Sequence, residues 1–71
     1  MNLKEQILIS IQTLELAGIH YRSDCEKVKS ILLHLYGRRF LAPFLGLKED
    51  AGLNEVMAKL HDYIYWEEWR D

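Results

Sequence analysis

Two glycines, Gly18 and Gly37, cut this chain into stretches whose apolar residues recur at the helical period, and that punctuation sets its class. Before Gly18, Leu3, Ile7, Ile11 and Leu14 fall on one helical face. Asn2 stands where a helix N-cap belongs, with Glu5 three residues on as its capping-box partner. The spacing predicts a first helix over about residues 3–17. Gly18 then supplies a left-handed C′ residue, and Ile19 falls where a Schellman motif folds its apolar contact back onto Leu14.

Between the glycines a second helix is predicted over about residues 24–36, with Ser23 as its cap and Glu26 completing a second capping box. Cys25, Val28, Leu32 and Leu35 make its inner stripe, with Ile31 and Tyr36 beside it. Arg38 and Arg39 complement its negative end. A third helix is predicted over about residues 51–69, with Leu53, Val56, Met57, Leu60, Tyr63 and Ile64 on one face. Gly52 weakens its first turn, so Leu53 is the alternative start. The stretch 38–50 between them is too apolar for a solvated linker: Phe40, Leu41, Phe44, Leu45 and Leu47 all need cover. Pro43 disfavours helix at Ala42 but can open a short one. A packed connector with one helical turn, lying over the bundle as a lid, is expected there. No stretch alternates as a half-buried strand would. The fold class expected is therefore all-α: a small three-helix bundle forming one domain over residues 1–71, with a packed apolar connector between the second and third helices.

More apolar surface is present than three inner stripes consume. At about 100° per residue, Ile9 and Leu16 point roughly opposite Leu14 on the first helix. On the third, Tyr65 and Trp69 point away from Leu60, with Trp66 on the flank. A buried aromatic removes ~150–250 Å² from water. At ~25 cal/mol per Å², leaving one wet forfeits several kcal/mol, comparable with a small domain's whole stability. Either the connector at 40–47 folds over Tyr65, Trp66 and Trp69, or these residues and Ile9 and Leu16 form a contact surface for another chain.

Chemistry has few footholds. Cys25 is the only cysteine, so no disulfide closes within the chain, and its place on the inner stripe makes it a small hydrophobe rather than a nucleophile. His20, His34 and His61 lack the paired spacing of metal modules. Glu49-Asp50 and Glu67-Glu68 are adjacent pairs, whose side chains point about 100° apart and make no acid/base dyad. No Gly-rich phosphate loop or nucleophile elbow occurs, and 71 residues leave little room for a deep pocket. The expectation is no enzyme, no metal, no cofactor and no small-molecule substrate.

The net charge of −2 is unevenly spread, with about −1 over residues 1–20, about +3 over 21–40 and about −4 over 41–71. Arg22, Lys27, Lys29, Arg38 and Arg39 make the middle basic. That segment is the basis of an alternative reading, a small nucleic-acid-binding regulator contacting phosphates through these five residues. Against it, the gap between the second and third helices is too long for a helix-turn-helix, and the third helix turns carboxylates outward. The opening residues put Glu5 and Gln6 where an export signal needs an apolar core, and the apolar runs are too short to span a bilayer. Glu67 and Glu68 would be repelled by anionic lipid, so no membrane partner is expected. The preferred reading is a cytoplasmic, non-enzymatic protein–protein interaction module: a homodimeric adaptor, inhibitor or regulator of the size common among bacterial and phage accessory proteins. Tyr65, Trp66, Trp69, Ile9 and Leu16 are its expected anchors.

Overall fold

The computed structural model describes residues 1–70. It contains four helices and, among these residues, no strand: α1 (Leu3–Leu16), α2 (Cys25–Tyr36), α3 (Arg38–Phe44) and α4 (Leu53–Tyr65). The connector expected to hold one helical turn is thus a helix of seven residues, and the bundle has four members rather than three. Pro43 sits in the last turn of α3 rather than opening it. The turn survives there because Leu41 and Ala42 are fully buried, and because the helix ends at once. Leu47 N–H donates to the Ala42 carbonyl at 2.8 Å and Gly46 N–H to Pro43 at 3.0 Å, closing a Schellman motif.

Helix α2 is the hub, packing against α1, α3 and α4, while α3 also packs on α4. The core runs through Ile7 and Ile11 of α1, Val28 and Leu32 of α2, Leu41 of α3, and Val56, Leu60 and Ile64 of α4. Across α1 and α2, Ser10 and Tyr36 share a hydroxyl–hydroxyl hydrogen bond of 2.8 Å. This tie joins the middle of α1 to the last residue of α2.

The start of α1 follows its sequence. Asn2 Oδ1 accepts from Glu5 N–H at 2.8 Å, although no reciprocal bond from the Glu5 side chain forms. Its end follows too: Ile19 N–H donates to Leu14 at 2.9 Å and Gly18 N–H to Glu15 at 3.0 Å. The start of α2 does not. Asp24, not Ser23, holds the N-cap position and makes no side-chain cap bond. A turn over residues 21–24, tied by Asp24 N–H to the His20 carbonyl at 2.8 Å, leads the chain into the helix instead.

Gly37 joins α2 to α3 alone, serving as C-cap of one and N-cap of the other at φ 86° and ψ 151°. That backbone region is essentially closed to residues with a side chain. Leu35, expected on the inner stripe, is 58% exposed. Lys29 is buried on the same helix, its stem covered and its ammonium reaching Glu26 at 2.5 Å.

The largest departure is at the C-terminus. The predicted third helix ends at Tyr65 rather than near residue 69. Trp66 caps it, and Glu67 adopts a left-handed conformation at φ 58°. Glu68 N–H donates to Tyr63 at 3.0 Å and Glu67 N–H to Ile64 at 3.2 Å, a Schellman motif with glutamate where glycine is usual. The reversal carries Trp69 back into the core.

Candidate functional site

The expected aromatic anchors part company in three dimensions. Trp69, expected as a partner-binding anchor, is 1% exposed and belongs to the core, so in this protomer it offers no open face to a partner. Tyr21 meets it edge-on at 5.0 Å between ring centroids, and the Arg70 guanidinium lies 4.5 Å from the indole centroid. Phe44 of α3 packs edge-on to Tyr63 at 5.2 Å instead of over the C-terminal aromatics. Tyr65 is half-buried, between His61 stacked at 5.4 Å and the Arg22 guanidinium 5.4 Å from its ring centroid. Trp66 alone of the three stays well exposed, at 66%.

Charges fasten this turn. Arg22 donates to Glu67 Oε2 at 2.7 Å and, through Nε, to the Tyr65 carbonyl at 3.2 Å. Arg70 pairs with the other Glu67 oxygen at 2.5 Å. The Glu67 carboxyl is held below the usual carboxylate range, first by the Tyr21 hydroxyl beside it and then by Arg70 and Arg22. The cluster is therefore structural, and it holds the C-terminal turn on the loop before α2.

Most of the basic segment is similarly engaged within the chain. Arg22 is bound to Glu67 and Tyr65. Lys29 is buried, which removes it from the exposed basic surface. Arg38 donates to the Ala51 carbonyl, and Arg39 pairs with Glu49 at 3.2 Å. Lys27 is exposed and, among the described residues, forms no ion pair. The five residues thus do not form one free cationic face of the kind phosphate contacts use.

The surface that remains lies on α1 and α2. Ile9 and Leu16 are exposed as the sequence predicts, and Leu35 joins them. A shallow pocket of about 190 Å³ opens between the two helices, walled by Ile9, Ser10, Thr13, Leu14, Ile31 and Leu35. The walls hold no ionisable group. The sequence does not mark Ile31 and Leu35 as part of this surface, because the helical period places them on or beside the inner stripe. The seam between two antiparallel helices is invisible to a one-helix projection. Phe40 on α3 is a second exposed apolar side chain, beside the Arg39–Glu49 pair.

One chemical juxtaposition has no signal in the sequence. Cys25 Sγ lies 3.4 Å from His61 Nδ1, bringing together α2 and α4. The thiol is buried, and burial pushes its pKa up, with Glu26 adding to the rise and Lys29 opposing it. A raised pKa keeps it as the thiol, the poor nucleophile of the two forms. Among the described residues no group of three or more His, Cys, Asp or Glu side chains could hold a metal ion, and no helix is long and apolar enough to cross a membrane.

Comparison with known protein families, with characterised proteins and with solved structures finds no match to this chain.

Proposed function

We propose that this chain is a non-enzymatic protein-contact module, an adaptor, inhibitor or regulator that docks through the α1–α2 face. The observation that carries the reading is the apolar pocket between the helices, flanked by Ile9 and Leu35 at 45% and 58% exposure. Exposed branched aliphatic side chains that converge on one concave seam are what a partner's side chain fills, whereas scattered ones need no partner. Leu16 extends the surface along α1.

The absence of ionisable groups from the pocket walls speaks for contact rather than catalysis. The buried, protonated Cys25 is a poor nucleophile beside His61 and leaves that pair as core packing. The internal pairing of Arg22, Lys29, Arg38 and Arg39 supports protein contact over nucleic-acid binding.

A photo-reactive phenylalanine analogue at position 35 tests the reading. Produced in its own cell, the chain is expected to cross-link to protein from position 35 and not from position 59 on the exposed side of α4. A folded chain that cross-links to no protein from position 35 would refute it.

A further inference from the structure

Tyr63 is 8% exposed, its hydroxyl is closed to solvent, and among the described residues that hydroxyl makes no hydrogen bond. A buried hydroxyl without a partner costs about 1–3 kcal/mol, so its place in the fold needs a physical reason. Tyr63 is also one wall of a pocket of about 200 Å³ between the end of α3 and the last turns of α4. Phe44, Leu45, Lys59, Asp62 and Glu68 complete the lining. We infer that this pocket binds a small primary alkylamine in its ammonium form, with the Tyr63 hydroxyl oxygen accepting from the ammonium.

The charges of the lining select a cation. Asp62 and Glu68 are exposed carboxylates, and neither forms an ion pair among the described residues. The last turn of α4, the negative end of its dipole, carries no basic residue. Lys59 is the one cation of the lining, yet the charge that acts on the Tyr63 hydroxyl is that of Glu68. An anion would meet two carboxylates for one ammonium.

The walls select the rest of the ligand. Phe44 and Tyr63 stand edge to face at 5.2 Å and share the lining with Leu45, which gives a short methylene chain apolar cover. A phenolic oxygen accepts from the ammonium while its own proton goes to Glu68, so both capacities of the hydroxyl are filled. Lys59 and Glu68 are exposed, so their long side chains swing aside without disturbing the core and open the way to the hydroxyl. The pocket lies on α3 and α4, away from the α1–α2 seam, and stands or falls independently of the docking face.

Titration of the full chain with n-butylammonium chloride tests the inference, at neutral pH and constant ionic strength, followed by the amide chemical shifts of Leu45, Asp62 and Glu68. Saturable shifts with a Kd of about 1 mM are expected, the range of a fragment of this size. Neutral n-butanol and anionic butyrate should bind about tenfold more weakly. Tyr63→Phe should raise the Kd about tenfold while folding as stably as wild type, because it removes only a hydroxyl that lacked a partner. Glu68→Gln should raise it about threefold, as expected of an exposed charge pair. Absence of saturable shifts overturns the site. Butanol binding as tightly as butylammonium, or an affinity indifferent to Tyr63→Phe, overturns the assigned chemistry. Tighter binding of a peptide with an internal lysine overturns the free amine as the source.

Discussion

The indole Nε1 of Trp69 donates a 3.0 Å hydrogen bond to the carbonyl of Ile64, five residues back. Ile64 lies in the last turn of α4, where its carbonyl also accepts from Glu67 N–H at 3.2 Å. The bond satisfies the buried indole N–H and ties the ring to the helix end it covers. Removing the ring should be costly. Trp69→Ala is expected to lower stability by about 3–5 kcal/mol, much of what a chain this size possesses. Trp69→Phe keeps most of the packing and removes the indole donor, while the Ile64 carbonyl keeps its bond from Glu67 N–H, so the loss should be smaller, about 1–2 kcal/mol. Urea denaturation measures both. Equal stability of Trp69→Ala and wild type would show that the ring is not in the core.

The two tryptophans should report opposite environments. With Trp66 replaced by Phe, the remaining emission from Trp69 is expected to be blue-shifted and shielded from acrylamide. With Trp69 replaced by Phe, emission from Trp66 should be red-shifted and readily quenched. Because Trp66 is two-thirds exposed, Trp66→Ala should change stability by no more than about 0.5 kcal/mol.

Gly37 has open space around its α-carbon, so a methyl group there meets no neighbour. Gly37→Ala is nevertheless expected to destabilise by about 1–3 kcal/mol, because the cost lies in the backbone conformation that lets one residue end α2 and start α3. A melting temperature equal to wild type would contradict this account of the junction.

Acid should loosen the C-terminal turn. Glu67 titrates below its ordinary value of 4.5 in the folded chain, and Glu26 does too, held down by Lys29. The unfolded chain therefore binds more protons in that range. The stabilisation from each carboxylate is complete above the unfolded value and lost as pH falls through the lower folded one. Stability should decline below about pH 5, and Glu67→Gln should flatten part of that decline. An unchanged slope in Glu67→Gln would remove the Arg22–Glu67–Arg70 cluster from the explanation.

Alkali should act through Tyr63, whose pKa is pushed up from 10.0 to about 12, by burial first and by Glu68 second. Between those values the folded chain keeps a proton that the unfolded chain has lost. This contribution is full below pH 10 and disappears as pH rises toward 12. Absorbance at the phenolate band should show one late-titrating tyrosine that Tyr63→Phe removes. Absence of any late-titrating tyrosine would contradict the burial.

The local code of this chain is written in contiguous residues, and that is why so much of the all-helical class was legible. Asn2 and Gly18 mark the ends of α1 because capping and left-handed turns depend on residues a few positions apart. Gly52 before Leu53 likewise marks the start of α4. Ile9 and Leu16 were readable as outward because angular position on a single helix follows from numbering alone. What the sequence could not decide is which of its apolar residues would cover one another. Glu67 bears no local sign of a left-handed turn. It adopts one because Arg22, from a distant loop, and Arg70 hold its carboxylate while Trp69 buries its ring against Tyr21. Leu35 was drawn out of the core, and Lys29 into it, by where α1 and α4 happen to lie around α2. Capping energies act over one turn, but burial is settled only between segments far apart in the chain. The tertiary structure therefore took one tryptophan for the core, left the other in solvent, and opened the seam on α1 and α2.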